Sequence, residues 1–336
     1  AAFGAFAAGS LGQAGAQTPG AGPSSTQSPA QSSAQSWPSR PVRFIVPLGP
    51  GSGVDVTARL VAEKLQQKWG QPVVVDNKAG ATGIIAAELV RKAPPDGHTL
   101  LFSVESAMVI AKLITPGTVK YDGLRDFAPI SLVGSSPLVL VGKPELPARN
   151  AAELLQAMRA APGKFSYATS GIGSSLHLAG ELINRVAKVN MVHVPYKVGA
   201  QIATDLAGNQ IELAVLPLVS SQPQARAGRI KAFGVLSNER WPTAQEIPAL
   251  AETPDFKGAD VQVWFGLFAP VKTDANIVNR LAKDMSAVLQ DADVSKRLAD
   301  LSLKPANYSP AEFAAFLQRE HDKYAAVVKA ANIKAE

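Results

Sequence analysis

From Pro41 onward, short β-branched runs alternate with longer segments whose apolar residues recur at helical spacing. Val42–Val46 reads as a strand. Val54, Ala58, Val61, Ala62, Leu65 and Trp69 then fall on one face of a helix over residues 54–69. Val73, Val74 and Val75 form a second strand, a turn follows over residues 77–80, and a helix is expected over residues 83–92. Pro94-Pro95-Asp96-Gly97 is a strong stop before a third strand over residues 99–102. Strands joined through helices by such short connections run parallel, and the helices cover the sheet. The pattern therefore predicts an open α/β domain.

A second unit of the same kind is expected to begin after Pro137, with strands over residues 138–141, 164–168, Val192–Pro195, 211–216 and 231–236. Helices over residues 151–159, 174–186 and 199–206 separate the first four of these. Beyond an apolar crossing segment over residues 264–270 the chain becomes mostly helical, over residues 274–289, 291–298 and Pro310–Ala330. The last helix opens with Ser309-Pro310-Ala311-Glu312, which places serine at the cap, proline at the first position and glutamate at the third. Two similar units joined by crossing segments predict two lobes with a cleft. In open α/β sheets, ligands collect at the carboxyl ends of strands, where loops enter helices. Two glycine-rich loops occupy that position, PLGPGSGVD (residues 47–55) and TSGIGSS (residues 169–175).

Neither loop has the chemistry of a nucleotide cradle. Gly51-Ser52-Gly53-Val54-Asp55 lacks the lysine and following hydroxyl of a P-loop, and Gly49, Gly51 and Gly53 do not complete a dinucleotide GxGxxG. What remains is the set of free N–H groups at a helix start, which attracts a carboxylate without a basic side chain. Ser52 either caps its helix or offers its hydroxyl to a ligand. Asp55 either stabilises the first turn, or fixes the loop or takes a donor from the ligand. Thr169, Ser170, Ser174 and Ser175 repeat this logic around Gly171 and Gly173, with plain capping of the helix start by Thr169 or Ser170 as the alternative to anion binding. His177 follows in the first turn, as a packing residue or a ligand contact.

Enzyme chemistry finds no foothold. There is no GxSxG nucleophile elbow, because Gly171-Ile172-Gly173-Ser174-Ser175 ends in serine. The chain has no cysteine, and its four histidines (His98, His177, His193, His321) show no metal-ligand spacing. The formal net charge of +6 comes from lysines and arginines interspersed with acids, without the basic stripe that a nucleic-acid surface needs. No catalytic residue, cofactor, metal or nucleic-acid partner is expected. No run from Pro41 onward reaches the ~18 uncharged apolar residues of a membrane span. The front of the chain differs. Residues 1–16 resemble the tail of a secretory signal peptide, with Ala14-Gly15-Ala16 as a candidate processing site. Residues 17–36 are almost all Thr, Pro, Ser, Gln, Ala and Gly, a composition expected to form a disordered tether.

Six segments in order resemble a known family. They are PSRPVRFIVPLGPGSGVDVTARLVAEKL, QPVVVDNKAGATGIIAAELVRKAPPDGHTLLF, FSYATSGIGSSLHLAGELI, NMVHVPYKVGAQIATDLAGNQIEL, VWFGLFAP and the C-terminal helices. Together they are similar to the periplasmic solute-binding proteins of tripartite tricarboxylate transporters, the Bug family, over residues 37–333. The resemblance implies a two-lobed α/β periplasmic-binding-protein fold of type II, a Venus flytrap. Its first lobe is expected over residues 37–137 plus 264–336 and its second over 138–263, after a signal and tether region over 1–36. It implies a monomer in the periplasm of a Gram-negative bacterium. That monomer would capture a small carboxylate (a dicarboxylate, amino acid or aromatic acid) and deliver it to membrane permease subunits, without turnover. The alternative role is a binding protein that reports to a membrane sensor kinase.

The resemblance carries the ligand site onto Leu48, Gly51, Ser52, Gly53 and Asp55 in the first lobe. In the second it falls on Thr169, Ser170, Gly173, Ser174 and Ser175, with His177 beside them; Ser106 is a further ligand-binding candidate. Several departures shift the expected ligand. Gly51-Ser52 stands where relatives usually have adjacent glycines, and Leu48-Gly49 displaces the usual proline to Pro50. In the second lobe Gly199 comes one place late after His193-Val194-Pro195-Tyr196-Lys197. Ala214-Val215-Leu216-Pro217 replaces a stretch that often carries a polar residue at the cleft. A carboxylate less polar than aspartate, aromatic or aliphatic, is expected.

Overall fold

The computed structural model describes residues 37–196 and 199–334. The signal and tether region expected over residues 1–36 lies outside the described residues. The chain runs β1 (Val42–Val46), α1 (Gly53–Trp69), β2 (Val73–Asn77), α2 (Ile84–Arg91), β3 (Thr99–Val104) and α3 (Ala111–Ile114). It continues through β4 (Phe127–Gly142), α4 (Ala151–Ala160), β5 (Ser166–Thr169), α5 (Ser175–Ala187), β6 (Val192–Pro195), α6 (Gly199–Ala207) and β7 (Leu213–Pro217). The remainder is α7 (Leu218–Arg226), β8 (Lys231–Val235), β9 (Gln262–Pro270), α8 (Ala275–Leu289), α9 (Ala292–Asp300), β10 (Lys304–Pro305) and α10 (Pro310–Ala330).

Local chemistry accounts for the ends of these helices. Ser52 caps α1, Asp55 sits in its first turn, and Gly70 closes it in the left-handed region, donating its N–H to the Gln66 carbonyl. On α10, Ser309 and Glu312 form the reciprocal capping box with Pro310 at the first position. Phe313, Leu317, Glu320, Tyr324 and Val327 are its buried face, spaced four and three apart.

Strands β2, β1 and β3 are parallel, as are β6, β5 and β7, so each group turns the carboxyl ends of its strands the same way. Between the groups stands β4, sixteen residues long. Its first part pairs antiparallel with β9 and β10, and its last part with β7 and β8. The strand pattern had placed a break near Pro137; instead the strand is continuous through it. Pro137 is the last residue to pair with β9, opposite Gln262, and Leu138 is the first to pair with β7. A residue without an N–H donor is tolerated there because it falls at the hand-over between partners. Pro129 adjoins a register shift in the same strand. The segment before Leu138 was not legible as strand because two prolines and three serines interrupt its apolar pattern. Likewise α7 escaped notice, having little apolar periodicity and an internal Pro223.

The C-terminal helices return to the first group of strands. Buried residues of α8 and α9 share one core with β1, α1 and β3. Phe313 of α10 packs on Trp264 and Phe268 of β9. Among the described residues no helix is long and apolar enough to cross a membrane.

Helix α5 is held close to its own strand by a glycine. A Cβ built on Gly180 would lie 2.0 Å from the Tyr167 ring, which is fully buried and bonded through its hydroxyl to Glu181 at 2.7 Å. Alanine is the better helix former by about 1 kcal/mol, but overpacking at a fixed ring costs about 1–3 kcal/mol. Gly180→Ala is therefore expected to lower the urea midpoint; a midpoint at or above wild type would contradict this close approach.

Candidate functional site

The two glycine loops are built on one plan. In the first, Gly51 adopts φ +82° and donates its N–H to the Asp55 carboxylate at 2.9 Å. The Ser52 hydroxyl donates to the Gly49 carbonyl and accepts from the Asp55 N–H. In the second, Gly173 adopts φ +75° and donates its N–H to His177 Nδ1 at 3.2 Å. The Ser174 hydroxyl donates to the Gly171 carbonyl and accepts from the His177 N–H. In each loop a left-handed glycine is locked by an acceptor four residues on, and a serine closes the helix start. A Cβ at Gly173 would also strike the Ile114 side chain at 2.2 Å, so this position needs glycine twice over.

The acceptors differ in charge. Asp55 is buried and holds Arg59 through both oxygens at 3.1 Å, while Asn77 bridges it to the Leu48 carbonyl. Burial opposes its ionisation, but the Arg59, Gly51 and Asn77 donors outweigh it and hold the carboxyl below its ordinary value. His177 stacks on His193 with centroids 3.9 Å apart. Burial pushes both imidazoles down to about 4, and in His193 the neighbouring ring adds to it. Both are neutral at neutral pH. His177 Nδ1 accepts from Gly173, so its proton belongs on Nε2. Thr169 is fully buried, its hydroxyl 2.6 Å from His193 Nε2 and accepting from the Gly171 N–H.

A cavity of about 470 Å³ lies where both loops meet, within the range of small-molecule sites. Of the sequence candidates, Leu48, Gly51, Gly53, Ser106, Ser170, Ser174 and Ser175 line it. The lining also includes Val54 and Leu176, so the cavity meets the first two residues of α1 and of α5. These residues precede the first N–H bound by the serine cap, so their N–H groups stand at the open end of each helix. Ser52, Asp55, Thr169, Gly173 and His177 are not among the lining residues. Their side chains or N–H groups are bonded within the loops, behind the wall.

Three polar wall residues had not been singled out from sequence: Thr82, Glu105 and Ser136. Glu105 carried a signal, an acid set in the otherwise uncharged run LLFSVESAMVI. Ser136 carried none, being one of several serines beside a proline. Its buried hydroxyl has no hydrogen-bond partner among the described residues. The rest of the wall is apolar: Val56, Val104, Pro217, Val219, Val263, Phe265, Leu301 and Leu303. No lysine, arginine or histidine among the described residues lines the cavity. Among the described residues no group of three or more His, Asp or Glu is placed to hold a metal ion.

A family model described as the tripartite tricarboxylate transporter family receptor matches residues 57–333. The chain belongs to this receptor family. A relative from Pseudomonas sp. strain P51, the product of the tcbD–tcbE intergenic region, is 37% identical to the receptor over 288 residues, 86% of this chain and 85% of its own. The solved structure of R. palustris Rpa4515 with adipate is 32% identical with a TM-score of 0.78, over 89% of this chain and 99% of that one. MatC from Rhodopseudomonas palustris with bound malate is 30% identical with a TM-score of 0.73, over 87% and 100%. The receptor is thus a periplasmic solute-binding protein with the two-lobed α/β fold expected from its motifs, a transport receptor and not an enzyme.

Two outcomes follow from the loop geometry. Ser174→Ala removes a cap and is expected to lower stability by about 1 kcal/mol, whereas Ser136→Ala removes an unpartnered hydroxyl and is expected to leave stability unchanged or raise it. Urea denaturation of both variants checks this pair, and equal losses would refute the assignment. Asp55 has a lowered folded pKa, so its stabilisation is complete above about 3.9 and is lost as the pH falls through the folded value. Asp55→Asn should therefore be less stable at neutral pH, with the difference from wild type shrinking under acid; a gap that persists at the lowest pH would contradict the charge argument.

Proposed function

We propose that the receptor captures a small dicarboxylate with an aliphatic or aromatic middle and delivers it to membrane permease subunits. The observation that carries this reading is a cavity bounded by two helix starts, apolar along most of its wall and with no basic side chain among the described residues that line it. One carboxylate takes the N–H groups of Gly53, Val54, Ser175 and Leu176, with the Ser170 hydroxyl beside them and Ser174 closing the helix start. Ser52, Asp55, Thr169, Gly173 and His177 hold the two loops in shape for it, and Leu48, Gly51 and Ser106 complete the wall. The middle of the ligand lies against Val56, Val219, Phe265 and Leu303. The solved relatives with adipate and with bound malate support a dicarboxylate as the class.

The lobes proposed for this capture are residues 37–137 plus 264–336, and 138–263. The hand-over of β4 from β9 to β7 at Pro137 supports that division. A ligand that touches α1 and α5 together favours the closed arrangement of two such lobes by its extra affinity for it. The receptor acts in this reading as a monomer.

Calorimetric titration with adipate and with malate tests the ligand class. A hydroxyl set against apolar wall loses its water partners at a cost of about 1–3 kcal/mol, and ~1.4 kcal/mol is one decade in affinity. Adipate is expected to bind about tenfold tighter than malate or better. Equal affinities, or malate the tighter, would reject the apolar-middle reading while leaving a carboxylate receptor in place.

A further inference from the structure

Among the described residues that line the cavity, one side chain is ionisable, and it is an acid. Glu105 follows β3 at its carboxyl end and is buried within the wall. Its carboxylate accepts the Trp264 N–H from β9 at 3.2 Å, and Ser175 of α5 lies within hydrogen-bonding reach. Helix α10 brings Glu320 to bear on it, an acid itself paired with Lys323 at 2.5 Å and bonded by the Trp264 indole at 3.3 Å. Tyr324 lies on the same helix and feels both glutamates and Asp260. On α5, two residues beyond Ser175, His177 is neutral. Among the described residues no cation acts on Glu105, and Lys323 is engaged by Glu320.

A cavity that receives an anion opposite an ionised, uncompensated glutamate would set two negative charges together in an apolar chamber. The conflict disappears when the glutamate carries a proton, because the neutral acid then donates its O–H to the incoming oxygen. We infer that Glu105 is a specificity-determining residue that meets the ligand as a neutral acid, so that binding a dicarboxylate takes up one proton. This rests on the dicarboxylate reading given above. Burial, with Glu320 adding to it against the pull of Ser175 and the Trp264 N–H, raises the Glu105 carboxyl to about 7. Ligand capture thereby becomes sensitive to pH near neutrality.

Calorimetry with adipate between pH 6 and pH 8 tests the coupling. If only the protonated form binds, affinity falls roughly tenfold over that interval, and titrations at pH 8 in buffers of different ionisation enthalpy report uptake of one proton. Glu105→Gln keeps the shape and a neutral donor; its affinity is expected to be flat across the interval with no proton uptake. A pH-independent wild type, or a Gln variant with the wild-type pH profile, would overturn the inference while leaving the dicarboxylate reading intact. No heat with adipate at any pH would reject both. A ligand-free measurement stands beside it. A raised folded pKa means stability is fully present below about 4.3, the ordinary glutamate value, and is lost as the pH rises through about 7. Wild type should lose urea stability relative to Glu105→Gln across that window and no further above it. Parallel curves for the two proteins would remove the titrating group and the inference with it.

Discussion

A left-handed glycine whose N–H is held by the side chain four residues on is the contact from which the site is built. It occurs twice, Gly51 to Asp55 and Gly173 to His177, each with a serine that bonds back to a second glycine carbonyl. The lock consumes the glycine N–H, so that group is unavailable to a ligand, and it fixes the direction in which the next helix starts. The acceptors are chemically unlike, yet equivalent in net charge at the site. Asp55 is ionic but neutralised by Arg59, and His177 is uncharged because burial strips its proton. Neither loop therefore brings a net charge to the cavity. The attraction for an anion is left to the helix ends alone.

Strand β4 makes the two loops meet. It lends its first part to β9 and its last part to β7 and β8, so the parallel strands on either side direct their carboxyl ends to the same cavity. Ser136 lies one residue before the hand-over, opposite Val263, and the neighbouring Trp264 N–H reaches Glu105. The polar end of the cavity is thus assembled where the chain crosses between halves. A shift of one half relative to the other must alter these groups first, because no other strand is shared to the same extent.

Much of this was legible because it rests on local rules. Helix starts at Ser52 and Ser309 follow from capping chemistry, and the buried faces of α1 and α10 from spacing, whereas Ser174, not the expected Thr169 or Ser170, caps α5. The common plan of the loops was half visible as two glycine- and serine-rich stretches. The equivalence of Asp55 and His177 was hidden, because the residues differ in kind and only a shared backbone geometry relates them. The full length of β4 was hidden for a different reason. Its prolines and serines look like a loop, and they are tolerated only because pairing partners change and registers shift beside them. Glu105 and Ser136 belong to the same class: their meaning depends on which distant strand lies next to them, and periodicity along one segment carries no such information.

The helix ends also limit how much charge the cavity accommodates. A helix N-terminus is equivalent to roughly half an elementary charge, so α1 and α5 together offset about one carboxylate. Among the described residues nothing on the wall supplies a second positive charge. A ligand with two acidic ends must therefore satisfy its second end with neutral donors, or leave it in water. The groups available include the unpartnered Ser136 hydroxyl and Glu105 when protonated. A cationic site would take either end of a dicarboxylate with similar force, whereas this one is unequal by construction. In the proposed binding mode one end is held by backbone dipoles whose cost of orientation was met when the loops folded. The other is read by hydrogen bonds that a wrong ligand leaves unmade, and unmade hydrogen bonds in an apolar chamber discriminate more sharply than attraction does.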